Sequence, residues 1–254
     1  MTGGGMQVHQ FLEPLRSGFG FLTTIPVGFS EEGLESLATH MWLYIIVGAI
    51  IGLIIGGIDN ALALVPSITE LVRTALILVA LYALTGFIHL DGLADIGDGL
   101  LKHGTMQERL DVIKEPYTGV GGISFCVLAF VLLFALAVSI HPRMLIPAFV
   151  TAEVAAKLSM VQVGSFGNAT HKGLGSLFSE RSGARTFLFA LLLASLVCVI
   201  CFGLKGLLIL SLPVVVSFGL LGLSNAAFGG INGDVIGSSN ELGRLAALIV
   251  ISLM

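Results

Sequence analysis

His89-Leu-Asp91-Gly92-Leu-Ala-Asp95-Ile-Gly97-Asp98-Gly99 closes an apolar stretch that begins near residue 71 and is long enough to cross a bilayer. Carboxylates are costly there. At about 3 kcal/mol for each carboxylate at mid-membrane on the insertion scale, three without compensation would cost roughly 8–10 kcal/mol, so something must hold them. A divalent metal is the obvious candidate.

Outward from this run the chain is overwhelmingly apolar. Of its 254 residues 56% are hydrophobic and 11% charged, and the mean hydropathy is +1.01, which excludes a soluble domain and predicts an all-α, polytopic integral membrane bundle forming one domain over 1–254. Apolar runs of helical span length fall near 42–64, 71–90, 121–140, 144–163, 185–203, 206–223 and 243–254, about seven spans with the last one short. Segment 11–27 is apolar but interrupted by Pro14, Gly18, Gly20 and Pro26, and reads as an interfacial or re-entrant element. Residues 1–10 are Gly-rich and polar, so no cleavable leader is expected.

Basic residues alternate loop by loop. Arg16, then Lys102, Arg109 and Lys114, then Lys172, Arg181 and Arg185, then Arg244 fall on one side, against Arg73, Arg143 and Lys205 on the other. The positive-inside rule puts the N-terminus and the aspartate run in the cytoplasm; the expected location is multi-pass in the inner membrane of a prokaryotic cell. The formal charge of −4 is local to these loops, and nucleic-acid binding has no support. Cys126, Cys198 and Cys201 lie in apolar runs and read as packing residues, and the sequon Asn168-Ala-Thr170 falls in a cytoplasmic loop, where it reads as chance.

On a helix, positions i, i+4 and i+7 share a stripe about 60° wide, so Asp91, Asp95 and Asp98 occupy one face. Unpaired, they repel one another, which leaves cations or full solvation as the ways to stabilise them. A merely solvated acidic helix end is the bland alternative. His89 falls roughly 160° away on a continuous helix and would rejoin the carboxylates only if the turn at Gly92 unwound. Lys114-Glu115-Pro-Tyr117-Thr-Gly119-Val-Gly121-Gly122 sets a cation beside a carboxylate and then glycines at a helix start, an anion-binding pattern that helix packing would explain equally well. In Gly229-Gly230-Ile-Asn232-Gly233-Asp234-Val-Ile-Gly237-Ser238-Ser239-Asn240-Glu241, Asp234 and Glu241 at i and i+7 predict a second polar face toward the cytoplasmic vestibule. Glu153 and Lys157 form an intramembrane i,i+4 pair, either functional or a register-fixing ion pair, and Asp59 reads as an interfacial cap. Carboxylates for metal, a basic Gly-rich loop for phosphate and a membrane-face location together suit phosphoryl transfer on an amphiphilic substrate.

The order and content of five segments resemble one family. Phe21-Leu-Thr-Thr-Ile-Pro26-Val is similar to its F-L-T-x-x-P-V, the aspartate run to its H-x-D-G-L-A-D-x-x-D-G core, Lys114-Glu115 with Gly119 to Gly122 to its K-D-x-x-x-G-x-x-G, Lys172-Gly173-Leu-Gly175 to its G-L-G loop, and Gly233-Asp234-Val-Ile-Gly237 with Glu241 to its G-D-x-x-G-A segment. The family is cobalamin (5′-phosphate) synthase, or adenosylcobinamide-GDP ribazoletransferase. The resemblance implies Mg²⁺-dependent attack of the ribose hydroxyl of α-ribazole, or of its 5′-phosphate, on adenosylcobinamide-GDP with release of GMP. It also implies that Asp91, Asp95 and Asp98 are metal ligands, that one of them or His89 takes the hydroxyl proton, and that Lys114, Gly119 and Gly122 face the phosphates. Asp234 and Glu241 would line the opposite wall, with Glu115, Asn232 and Lys157 as further substrate contacts. The implied partners are these small molecules and the lipid bilayer, and a homo-oligomer is compatible with the sequence. Thr24 and Tyr117 depart from basic positions of many relatives, Arg244 from an acidic one, and Lys157 stands roughly where a membrane-embedded arginine is expected. The alternatives are a CDP-alcohol phosphotransferase, whose motif has arginine where Asp95 stands, and an ion or metal transporter, whose carboxylates would lie deeper on paired interrupted helices.

Overall fold

The computed structural model describes the backbone of residues 3–254 and side chains from Leu12 onward; the reading of the extreme N-terminus as leaderless falls partly on Met1 and Thr2, outside the described residues. The chain is helical throughout, as its composition requires, with an isolated bridge between Ala169 and Ile231 as the only β pairing among the described residues.

Helix α1 (Gly3–Leu22) runs through Pro14, so the N-terminal segment is a helix rather than a re-entrant turn, and the breaks at Gly18 and Gly20 do not occur. A short α2 (Glu31–Thr39), capped by Ser30, packs against it. The first span is α3 (Leu43–Ala63). It carries Gly48, Gly52 and Gly56 at four-residue spacing against α8 (Leu145–Phe166). A Cβ at these positions would lie 2.7 Å from the Glu153 carbonyl oxygen, 2.6 Å from the Phe149 carbonyl oxygen and 2.7 Å from Ile146 Cα, respectively. Hydrophobicity cannot hold two helices together in lipid, so backbone approach through small residues does.

The predicted span at 71–90 is broken. Helix α4 (Glu70–Thr85) stops at Gly86 and Phe87, both left-handed at φ 69° and 62°, and α5 (Ile88–Leu101) leaves at 91° to it. Phe87 is the only non-glycine residue with positive φ among those described, a costly conformation that stacking of its ring on Tyr82 at 5.6 Å accompanies. The aspartate run is therefore a helix of its own, continuous across Gly92. Next come α6 (Met106–Ile113), α7 (Val120–Ser139) and α8. They are followed by α9 (Leu174–Arg181), α10 (Ala184–Phe202), a short α11 (Gly206–Ile209), α12 (Ser211–Phe228) and α13 (Gly233–Ser252). Among the described residues six helices are long and apolar enough to span, seven if the bent α4–α5 pair counts as one. The last two spans sit elsewhere than expected: 206–223 becomes Ser211–Phe228, and the short 243–254 run is the second half of the full-length α13. Polar residues at its start hide α13 from a hydropathy reading.

Asp59 is not an interfacial cap. It is buried and accepts a 2.7 Å bond from Arg73 Nε, tying α3 to α4. Cys198 is buried, Cys126 and Cys201 partly so, and all three thiols are free, as packing residues should be.

Candidate active site

Backbone contacts bring one end of the bundle together. Thr24 N–H donates to the Leu84 carbonyl at 2.7 Å, joining the ends of α1 and α4. Thr170 N–H and Ile231 N–H bond the Ile231 and Asn168 carbonyls at 2.9 and 2.8 Å, joining the loop after α8 to the loop before α13. Asp98 joins α5 to α7. This end carries Lys102, Arg109, Lys114, Lys172, Arg181 and Arg185 on its loops, its short helices α6 and α9 and the start of α10.

Glycines set the spacing around α5. A Cβ on Gly92 would stand 2.8 Å from the Asp234 carbonyl oxygen, so α5 and α13 touch there and the two acidic segments face each other. Asp95 is half-buried and lies in the field of Asp234, Asp91 and Asp98, strongest first. Neither Asp91 nor Asp95 is in an ion pair among the described residues. Asp234 is held by Asn232, whose side-chain amide donates to its Oδ2 at 2.7 Å while the Asn232 Oδ1 caps α13 by accepting from Val235 N–H. His171, on the bridged loop, is near enough to offset part of the Asp234 charge. No motif announced His171, because only the β bridge carries it there.

Asp98 also anchors the start of α7. Its Oδ2 accepts from Gly119 N–H at 2.6 Å and its Oδ1 from Gly122 N–H at 2.9 Å. The anion at the start of α7 is thus a side chain of the protein, where the sequence suggested a substrate phosphate. Gly119, Gly121 and Gly122 are needed for it, since a Cβ at each would come within 2.5–2.9 Å of Asp98 oxygens. The two accepted bonds leave lone pairs free on each Asp98 oxygen. Lys114 and Glu115 stand exposed on the connection from α6 to α7, and Lys114 has only a loose 3.9 Å pair with Asp111.

No three His, Cys, Asp or Glu side chains among the described residues already converge as a ligand set. The donor chemistry nevertheless fits a hard divalent cation, because Asp91, Asp95 and Asp234 are carboxylates in one another's field with no basic side chain among the groups acting on Asp95.

Three expected site residues lie elsewhere. His89 stays on the far side of the uninterrupted α5, buried and facing a separate cavity. Glu241 and Lys157 belong to a cluster inside the bundle. Arg244 Nε and Nη1 donate to Glu153 and Glu241, both at 2.5 Å. Lys157 Nζ reaches Asn240 Oδ1 at 2.6 Å and Glu153 at 3.5 Å, and the Tyr82 hydroxyl donates to Glu241 at 2.7 Å. Two carboxylates balance two cations there. Arg244 is fully buried in α13 and is not the loop residue that the charge alternation made it. Glu241 lies two helical turns, about 10 Å, along α13 from Asp234, so the expected polar face divides into a site residue and an interior ion pair. Tyr82 and Asn240 had no motif to announce them.

The fold and site define a polytopic helical membrane protein with a carboxylate centre at one end of its bundle. The family model described as cobalamin-5-phosphate synthase matches residues 14–252, and the chain belongs to that family. Proteins named adenosylcobinamide-GDP ribazoletransferase are similar over nearly their whole length. The one from Methanosarcina barkeri is 35% identical, covering 97% of this chain and 94% of its own. That from Methanosarcina mazei is 36% identical with the same coverage, and that from Geotalea daltonii is 32% identical over 91% of this chain and 93% of its own. No solved structure matches.

Proposed function

We propose that the chain transfers the adenosylcobinamide-phosphate group of adenosylcobinamide-GDP to the ribose hydroxyl of α-ribazole or its 5′-phosphate, releasing GMP. The observation that carries this reading is the facing of the α5 aspartates and Asp234 across the Gly92 contact, within a chain whose relatives bear that activity in their name. Such a centre, at a membrane end rich in Lys and Arg, suits a diphosphate with an amphiphilic tail.

In the reaction the hydroxyl oxygen bonds to the cobinamide-linked phosphorus, the bond from that phosphorus to the bridging oxygen breaks, and GMP departs with the bridging oxygen and its electron pair. The hydroxyl proton passes to a carboxylate. Asp234 and Asp95 suit that role better than His89, which faces away from the cluster. Mg²⁺ held by Asp91, Asp95 and Asp234 would supply charge neutralisation of the diphosphate. Lys114, exposed and only loosely paired with Asp111, is the cation assigned in this reading to the leaving phosphate. Asp98 fixes the start of α7 against α5, and so holds the wall of the site. The basic loops at this end support a cytoplasmic orientation of the site, and the similarity to archaeal and bacterial relatives supports the cell (inner) membrane of a prokaryotic cell as its location.

The test is GMP release by purified protein in detergent or liposomes given adenosylcobinamide-GDP, α-ribazole and Mg²⁺. GMP with a cobalamin product, stopped by EDTA, is expected. CMP release from a CDP-alcohol and inositol, with no GMP from the first pair, would overturn the proposal.

A further inference from the structure

Beside the carboxylate cluster a cavity of about 500 Å³ opens between the ends of α1, α4, α8, α9 and α13, with Ile88 and His89 of α5 in its wall. Its volume is within the usual range for a small-molecule site. Thr24, Phe29 and Leu174 are exposed at its mouth; Met160, Phe178 and His89 are buried in its walls. Phe21 joins Phe29 and Phe178 in an aromatic cluster with ring centroids 6.2 and 6.0 Å from its own. Asp234 lines both this cavity and the acidic centre, so a ligand filling the cavity would place a substituent at the site of phosphoryl transfer.

The hydrogen-bonding capacity of the walls is narrow. The Thr23, Thr24 and Thr85 hydroxyls have given their protons to the Phe19, Ala83 and Leu81 carbonyls at 2.6, 2.9 and 3.0 Å. His89 is the exception. It is 4% exposed, and neither ring nitrogen has a partner among the described residues. A buried imidazole left unpaired is expensive, and a ligand that accepts one bond from it in an otherwise apolar, aromatic slot recovers that cost.

We infer that this cavity is the subsite for the base of the acceptor nucleoside. Resting on the reaction proposed above, the ligand is the benzimidazole of α-ribazole, a flat apolar bicycle with one unsubstituted ring nitrogen to accept from His89. Its ribose then extends past Gly233 toward Asp234. Guanine fits worse, because its edge carries several donors and acceptors and the walls have one unengaged polar ring besides Asp234. A corrin is several times too large. His89 is thus a specificity-determining residue for the acceptor, which accounts for a histidine beside the aspartates yet turned from them.

The experiment is equilibrium binding of α-ribazole to the purified wild-type protein without Mg²⁺, against the same riboside built on 5,6-dimethylindole, which lacks the free ring nitrogen. The indole analogue should bind at least about tenfold more weakly, the cost of leaving a buried donor unpaired. GMP should not displace α-ribazole. In His89→Leu the preference should vanish, and the KM for α-ribazole should rise with that for adenosylcobinamide-GDP unchanged. Equal binding of the two ribosides by the wild-type protein, or displacement by GMP, overturns the subsite, and that comparison requires no variant to fold. GMP release continuing alongside equal binding would sink the subsite alone; absence of any turnover with α-ribazole would sink the reaction and the subsite with it.

Discussion

Arg244→Met tests whether the buried ion cluster holds the bundle together. The side chains of Arg244, Glu153 and Lys157 are fully buried and that of Glu241 nearly so. Removing the arginine leaves two carboxylates facing one lysine, and breaking a buried pair by removing one partner costs about 3–5 kcal/mol. For a chain of this size, 1 kcal/mol moves the midpoint by about 2–4 °C, so thermal unfolding in detergent should shift down by roughly 6–20 °C. The control is Arg181→Met, which removes the 2.9 Å pair with Glu35 on the surface, where both side chains are about half exposed. An exposed pair is worth about 0–1 kcal/mol, so that variant should move by at most a few degrees. A Glu153→Gln/Arg244→Met double variant should lose less than the sum of its parts, because the second change removes a charge that the first left unpaired. Melting of Arg244→Met within about 2 °C of the parent, or simple additivity of the two changes, would refute a stabilising role for the cluster.

Asp95→Asn should abolish GMP release and leave the protein extractable with an unchanged melting temperature; near-normal turnover would remove Asp95 from the reaction. Gly92→Leu should cost activity and stability together, since even its Cβ would press to 2.8 Å of the Asp234 carbonyl oxygen; wild-type activity would show that the α5–α13 approach is dispensable. Asp98→Ala frees the Gly119 and Gly122 amides and should destabilise the start of α7 by about 0.5–2 kcal/mol, the usual value of a helix cap, read as faster amide exchange there. Glu108, outside the spans, has its carboxyl held below the ordinary glutamate range by the Thr105 backbone N–H and hydroxyl at the start of α6. A lowered folded value means that this stabilisation is present above the unfolded value and lost as pH falls through the folded one. Exchange protection of α6 should therefore drop with acidification in that window, and Glu108→Gln should flatten the response.

Hydropathy and spacing were enough to read an all-α membrane bundle from this chain and a run of aspartates on one helical face, because bilayer thickness and the 3.6-residue period act on sequence directly; the family was read from the resemblance of five motif segments. The limits of that reading lie in particular residues. A hydropathy window has no term for a 91° bend, so the break at Gly86–Phe87 was invisible and the aspartates seemed to end a span. Asp98 and the α7 glycines looked like separate metal and phosphate elements, yet they satisfy each other, a choice made only when two helices touch. Glu241 shares α13 with Asp234 and was read with it, and Arg244 was counted among the loop cations; it is burial against α8 and Tyr82 that turns the two into a charge-balanced interior. His89 is the sharpest case. Its angle from the aspartates followed from helical geometry alone, but what it faces depends on α1, α8, α9 and α13 arriving from distant parts of the chain, and only their packing leaves its ring buried, unpaired and at the wall of a cavity.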